Sequence, residues 1–165
     1  MNKKIERSYL EILSLNELNE SNNPSDEFVV DLIYPPNFQL NRFFYKEIGK
    51  KHKWVDRLVW NEKQWIEYTN SEKVKTFVLK NEEDLAGYFE LNVHDDETEI
   101  AYLGLLEEYH NKKLGSYLLS IAIKNSFLEK SNRVWVHTCS LDHKNALNNY
   151  LSRGMKIFKK ESVII

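Results

Sequence analysis

Apolar and polar positions punctuate the second half of the chain clearly. Thr76 to Leu79 predicts a strand, Asn81 to Asp84 a turn and Leu85 to Val93 a second strand, together an antiparallel hairpin. Asp95, Asp96 and Glu97 turn the chain into a third strand, Glu99 to Leu106. Leu114 to Leu128 predicts a helix in which Ser116, Ser120 and Lys124 recur every four residues as a polar stripe. Leu114, Leu118, Leu119, Ile121, Ala122 and Ile123 fill its other sides, so most of it is expected to be buried. Arg133 to Cys139 is β-branched, aromatic or apolar at most positions, as in a strand covered on both faces. A helix from Lys144 to Arg153 follows, with Asp142 as its cap and Gly154 ending it in a left-handed conformation. Met155 to Ile165 predicts a last strand.

The first half is less regular. Tyr9 to Leu15 predicts a strand, Glu17 to Asp26 a polar loop, and Phe28 to Ile33 a strand closed by Pro35 and Pro36. Leu40, Phe43, Phe44 and Ile48 stand at helical spacing, and Asn61 can cap a short second helix carrying Trp65, Ile66 and Tyr68. Seven aromatics crowd this region: Phe43, Phe44, Tyr45, Trp54, Trp60, Trp65 and Tyr68. Core packing is the simpler assignment for them, and lining an acceptor pocket is the alternative for a subset. The element order predicts an α/β fold, a mixed and mostly antiparallel central sheet with helices on both faces, forming a single domain over residues 1–165.

Length and composition narrow the function classes. A chain of 165 residues fits one domain with a core of its own. Its 23 basic and 25 acidic residues give a net charge of −2, which leaves no electrostatic footprint for nucleic acid. The single cysteine, Cys139, excludes an intramolecular disulfide framework and a multi-cysteine zinc module. No apolar run follows the early lysines or approaches a membrane-spanning length, so a cytoplasmic protein away from membranes, monomeric or homodimeric, is expected.

The chemistry concentrates between Leu105 and Gly115, where a strand end, a short polar loop and a helix start follow one another. Helix starts expose unpaired N–H groups and a partial positive charge that suit a phosphate. By itself the junction is weak, since Gly115 is its only glycine and neither a Walker loop nor a dinucleotide fingerprint is present.

The run Ile100-Ala101-Tyr102-Leu103-Gly104-Leu105-Leu106-Glu107-Glu108-Tyr109-His110-Asn111-Lys112-Lys113-Leu114-Gly115 resembles the acyl-CoA motif of the GNAT superfamily of N-acetyltransferases. Ala146, Tyr150, Gly154 and Met155 are similar to a second stretch of that superfamily, in its last helix and strand. The resemblance spans roughly Thr76 to Phe158. It implies that the main chain around Leu103 and Leu105 pairs with pantetheine, and that the amides of Asn111, Lys112, Lys113, Leu114, Gly115 and Ser116 hold the pyrophosphate. The family pattern Arg/Gln-x-x-Gly-x-Gly/Ala stands here with His110 first and Lys113 in place of the first glycine. Lys113 must therefore avoid positive φ or accept strain. Lys112 and Lys113 are either direct phosphate ligands or a solvated helix entrance. His143 occupies the place where many relatives put an asparagine that contacts CoA.

Amide formation needs an amine that has lost its proton. Glu99 lies an even number of residues from Leu103 and Leu105, so regular alternation puts all three on one face. The resemblance makes Glu99 the general base, with Glu90 in reserve. It also makes Tyr150 the proton donor to the departing thiolate, with a backbone N–H near Leu105 holding the oxyanion. His137 and Cys139 share a strand face close to Asp142 and His143, but a cysteine near the end of an apolar strand reads as an inert thiol, and no metal site is expected. The expected activity is direct transfer of an acetyl group from acetyl-CoA, as acyl-donor substrate, to an amine acceptor. The alternative is a noncatalytic acyl-CoA-binding or interaction module.

Overall fold

The computed structural model describes residues 2–164. Seven strands form one sheet: β1 (Lys4–Ile12), β2 (Phe28–Leu32), β3 (Val74–Asn81), β4 (Asp84–His94), β5 (Glu97–Leu105), β6 (Arg133–Cys139) and β7 (Lys156–Ile164). The helices are α1 (Phe38–Gly49), α2 (Glu62–Asn70), α3 (Leu114–Leu128) and α4 (Ala146–Ser152). The strand order is β2-β3-β4-β5-β6-β1-β7, with β5 and β6 parallel and every other pair antiparallel. The fold is the mixed α/β sheet that the periodicity predicts.

Alternation along β3 and β4 divides the core between the two faces. Val78 and Tyr88, paired across the ladder, pack with Phe44 and Ile48 of α1. Leu79 and Phe89, one residue further along each strand, join Leu118, Leu119, Ala122 and Ile123 of α3 in the larger cluster. The polar stripe of α3 receives the segment between β1 and β2. Ser21 bonds Ser116 and Ser120 at 2.9 Å each, and Lys124 pairs with Glu20 at 2.6 Å.

Several elements depart from the expected ones. β1 begins at Lys4 and ends at Ile12, and Leu15–Glu17 is a short 3₁₀ turn rather than a strand end. The strand alternates Arg7, Tyr9 and Glu11 with the buried Ser8, Leu10 and Ile12, so Arg7 and Glu11 belong with Tyr9 to an open sheet face. β6 is likewise covered on one face only: Val134, Val136 and Thr138 are buried, while His137 is exposed. Helices α1 and α2 sit over the β2–β4 side and leave that face of β6, β1 and β7 to an aromatic row. In it Tyr9 lies 6.4 Å from Trp135 and 6.2 Å from Phe158, and Arg133 lies 4.6 Å from the Phe158 ring. α4 starts at Ala146 behind Asn145, which makes no side-chain cap bond, and Asp142 turns its carboxylate elsewhere.

Gly154 ends α4 at φ +108°, as expected, and a Cβ there would stand 2.2 Å from the Glu17 carbonyl oxygen. Gly154→Ala is therefore expected to cost about 3 kcal/mol, through positive φ and a backbone collision together. A fall in melting temperature of about 6–12 °C would register it. A loss below about 2 °C would show that the segment around Glu17 shifts freely.

Candidate active site

The site forms where the sheet splits. β5 pairs with β6 only over Glu97 to Glu99, opposite Arg133 to Trp135, and the rest of the two strands diverge. A cleft of about 770 Å³ opens between them, lined by Tyr102, Leu103, Gly104 and Leu105 on one side and Val136, His137 and Cys139 on the other. The start of α3, residues of α4 and the segment after α1 complete its walls. Gly104 matters here, because a Cβ on it would come within 2.8 Å of Ile48 and push α1 off the strand.

A bulge in β5 corrects the expected alignment of Glu99. Glu90 faces Tyr102 and Leu91 faces Ile100, so Ala101 is an extra residue that reverses the alternation. Ile100, Leu103 and Leu105 consequently pack on the α3 side. Tyr102 packs on the α1 side against Tyr45 and Trp54, with ring centroids 5.3 and 4.8 Å away. Glu99, one residue before Ile100, belongs to the face of Tyr102, opposite Leu103 and Leu105. Burial raises its carboxyl above the usual range, partly countered by Asn92, His94 and Arg57. It is not among the residues that line the cleft.

Glu90 has another task. Fully buried, it receives two hydrogen bonds from Arg57 at 2.9 and 3.0 Å and one from Asn41 at 2.9 Å. Arg57 lies within 4.1 Å of the Tyr68 ring centroid, 4.5 Å of Tyr102 and 4.9 Å of Trp60, with Tyr45 and Trp65 at 5.7 Å. Burial opposes its charge, and Glu90 together with Tyr68, Tyr102 and Tyr88 more than offsets that, so the guanidinium stays protonated. Of the seven crowded aromatics, four thus enclose Arg57 and Phe44 stacks on Tyr88. Trp54 alone of the seven lines the cleft.

The start of α3 fits a phosphate group. Lys113 is the residue before the helix, at φ 63° and ψ 18°, and no side chain caps the helix N–H groups. Lysine has thus accepted the left-handed conformation that the usual glycine would adopt, and Asn111 does the same at φ 62°. Lys113→Gly is expected to be about 1 kcal/mol more stable than Lys113→Ala, since both lose the ammonium and only alanine keeps the strain. Denaturant titration of the two variants measures this, and equal stabilities would refute the strain. His110 folds back so that Nε2 lies 3.1 Å from the Leu105 carbonyl oxygen. Asn149 donates to the Gly115 carbonyl at 3.1 Å and ties α4 to the start of α3. Asn111, Lys113, Leu114, Gly115, Ser116 and His143 all line the cleft.

Tyr150 lines the same cleft from α4, and burial, with the Asp142 carboxylate, raises its phenol well above the usual range. Asp142 accepts from the Thr138 hydroxyl and, at 3.1 Å, from the Cys139 N–H. Burial raises the Cys139 thiol as well, which keeps it protonated and a poor nucleophile.

Residues 36–155 match a family model described as Acetyltransferase (GNAT) family. The chain belongs to the GNAT acetyltransferase family. No curated protein matches it in sequence. Among solved structures, the fold resembles a GCN5-related N-acetyltransferase from Kribbella flavida, with a TM-score of 0.69 at 12% identity, covering 96% of this chain and 56% of that one. A GCN5-related N-acetyltransferase from Sphaerobacter thermophilus gives 0.69 at 13% identity, with 97% and 50% covered. An aminoglycoside acetyltransferase from an uncultured soil metagenomic sample, in complex with trehalose, gives 0.67 at 12% identity, with 79% and 90% covered. The chain spans roughly half the length of the first two. Among the described residues, no helix of this GNAT protein is long and apolar enough to cross a membrane.

Of the segment after α1, the sequence offered only Trp54, among the crowded aromatics, as a pocket wall. His52, Trp54 and Asp56 line the cleft, and so do Lys3, Ile5 and Arg7 at the start of β1. The available signal was Arg57, one of five arginines among 23 basic residues, set in sequence among Trp54, Trp60, Trp65 and Tyr68.

Proposed function

We propose that the protein is an N-acetyltransferase that moves the acetyl group of acetyl-CoA directly to the amine of an acceptor. The observation that carries this reading is the cleft opened by the β5–β6 split, with the start of α3 at one wall and the Tyr150 phenol at another. The uncapped N–H groups of α3, with Lys112 and Lys113 beside them, suit the donor's pyrophosphate. The free edge of β5 at Leu103 and Leu105 suits the amides of pantetheine, and a backbone N–H near Leu105 would face the oxyanion.

In the transfer, the acceptor nitrogen attacks the thioester carbonyl, a C–N bond forms and the C–S bond breaks. Tyr150, kept protonated by burial, supplies a proton to the leaving sulfur. Glu99 takes the proton lost by the amine through intervening water, because its side chain stands outside the cleft lining. Its raised carboxyl brings it closer to the working pH than an ordinary glutamate. Direct transfer leaves Cys139 without a role. The chain acts away from membranes and nucleic acid, in the cytoplasm, as a monomer or homodimer.

Calorimetric titration with acetyl-CoA, followed by thiol release across a panel of amines, tests the reading. Micromolar binding with amine-dependent thiol release is expected. Absence of binding at low and moderate salt would refute it. Binding without release from any amine would favour the noncatalytic acyl-CoA-binding module.

A further inference from the structure

We propose that His52 and His110 are the proton-accepting part of the donor site, so that a pyrophosphate entering the mouth of the cleft is bound together with protons taken up from water. The proposal rests on the acyl-CoA reading above. Three separate segments each bring one histidine to the cleft: His52 after α1, His110 between β5 and α3, and His143 between β6 and α4. The His110 and His143 rings stand 5.1 Å apart edge to face, and His52 lies 6.3 Å from His143.

Backbone partners fix which nitrogens are free. Nδ1 of His52 lies 3.1 Å from the Leu141 carbonyl oxygen, and Nε2 of His110 lies 3.1 Å from the Leu105 carbonyl oxygen. A carbonyl only accepts, so both of these nitrogens carry hydrogen, and Nε2 of His52 and Nδ1 of His110 are left as bare acceptors. Each ring can gain a proton there without losing its existing bond. His143 differs, because its Nδ1 accepts the Asn145 N–H at 3.1 Å and protonation would break that bond. Burial and then the His110 and His52 charges push His143 down, with Lys144 adding to them.

The surrounding charge explains why an anion would be needed. Lys50 and Lys53 follow α1, Lys112 and Lys113 precede α3, and Lys144 precedes α4. Against these stand Glu47, which pairs with Lys50, Glu107, which pairs with Lys51, and Asp56, Glu108 and Asp142. Lysines thus stand on all three histidine-bearing segments, and a pyrophosphate beside the rings would favour their protonated form. Histidine is the side chain whose ordinary pKa lets it respond near neutrality. A ligand that raises a histidine pKa binds most tightly below the free value, and affinity declines as pH rises through the free value to the bound one.

Calorimetry of acetyl-CoA binding at pH 7 in PIPES and in Tris buffer, which differ in ionisation enthalpy, counts the protons exchanged. Uptake of about 0.3 to 1 proton is expected, with affinity several-fold tighter at pH 6 than at pH 8. Dephospho-CoA should retain the uptake, since its pyrophosphate does not titrate in this range. The combined His52→Gln and His110→Gln variant should bind more weakly than the unaltered chain at pH 6, with no proton uptake and no difference in affinity between pH 6 and pH 8. Binding by the unaltered chain with no proton uptake would overturn this proposal and leave the acyl-CoA reading standing, as would uptake that persists in the variant or vanishes with dephospho-CoA. No acetyl-CoA binding at any pH would overturn both.

Discussion

Tyr150→Phe is expected to lower turnover by at least about 10²-fold while leaving the acetyl-CoA dissociation constant within about twofold. The substitution removes only the phenol oxygen, so the ring still packs among the residues joining α3 and α4. What is lost is a proton that burial and Asp142 keep on the oxygen throughout the neutral range. On the proposed reading the donor is held by the start of α3 and the edge of β5, which the phenol does not build. Steady-state thiol release with parallel calorimetry reads the two quantities separately. Turnover within about threefold of the unaltered enzyme would mean that water protonates the leaving sulfur. An equal loss in affinity would mean that the hydroxyl holds the donor rather than serving the chemistry.

Breaking the Arg57–Glu90 pair should produce the largest loss of stability. Arg57 is 7% exposed and Glu90 0%, and removing one member leaves the other charged and buried. Arg57→Ala and Glu90→Gln are each expected to cost about 3–5 kcal/mol, or about 6–20 °C in melting temperature. Replacing both together, as Arg57→Met with Glu90→Leu, should cost less than the sum of the single changes, because no lone charge remains. Single-variant losses below about 1 kcal/mol would show that water reaches the pair.

Much of the fold was legible because it is written locally. The helix at Leu114–Leu128 follows from a polar stripe every four residues, and the β3–β4 hairpin from a turn between two apolar runs. The positive φ at Gly154 follows from a glycine at a helix end. The motif from Ile100 to Gly115 and the placement of Tyr150 carried the family, which residues 36–155 then matched. The start of β1 was less legible, because the charges of Lys4, Glu6 and Arg7 mask its alternation. The placement of Glu99 was misjudged for a similar reason, since no residue type announces a bulge at Ala101 that only the pairing with β4 creates.

The sequence by itself determined most of the helices and strands, and that a helix starts at Leu114 behind a short polar loop. These depend on periodicity and capping within a few neighbouring residues. Tertiary structure decided that β1 lies between β6 and β7, that β5 and β6 part after three pairs, and that Arg57 meets Glu90. It also brought three histidines from three segments to one cleft. Each of these joins residues far apart in the chain, where the closing of the sheet and the packing of its two faces fix the distance and local preference has no say.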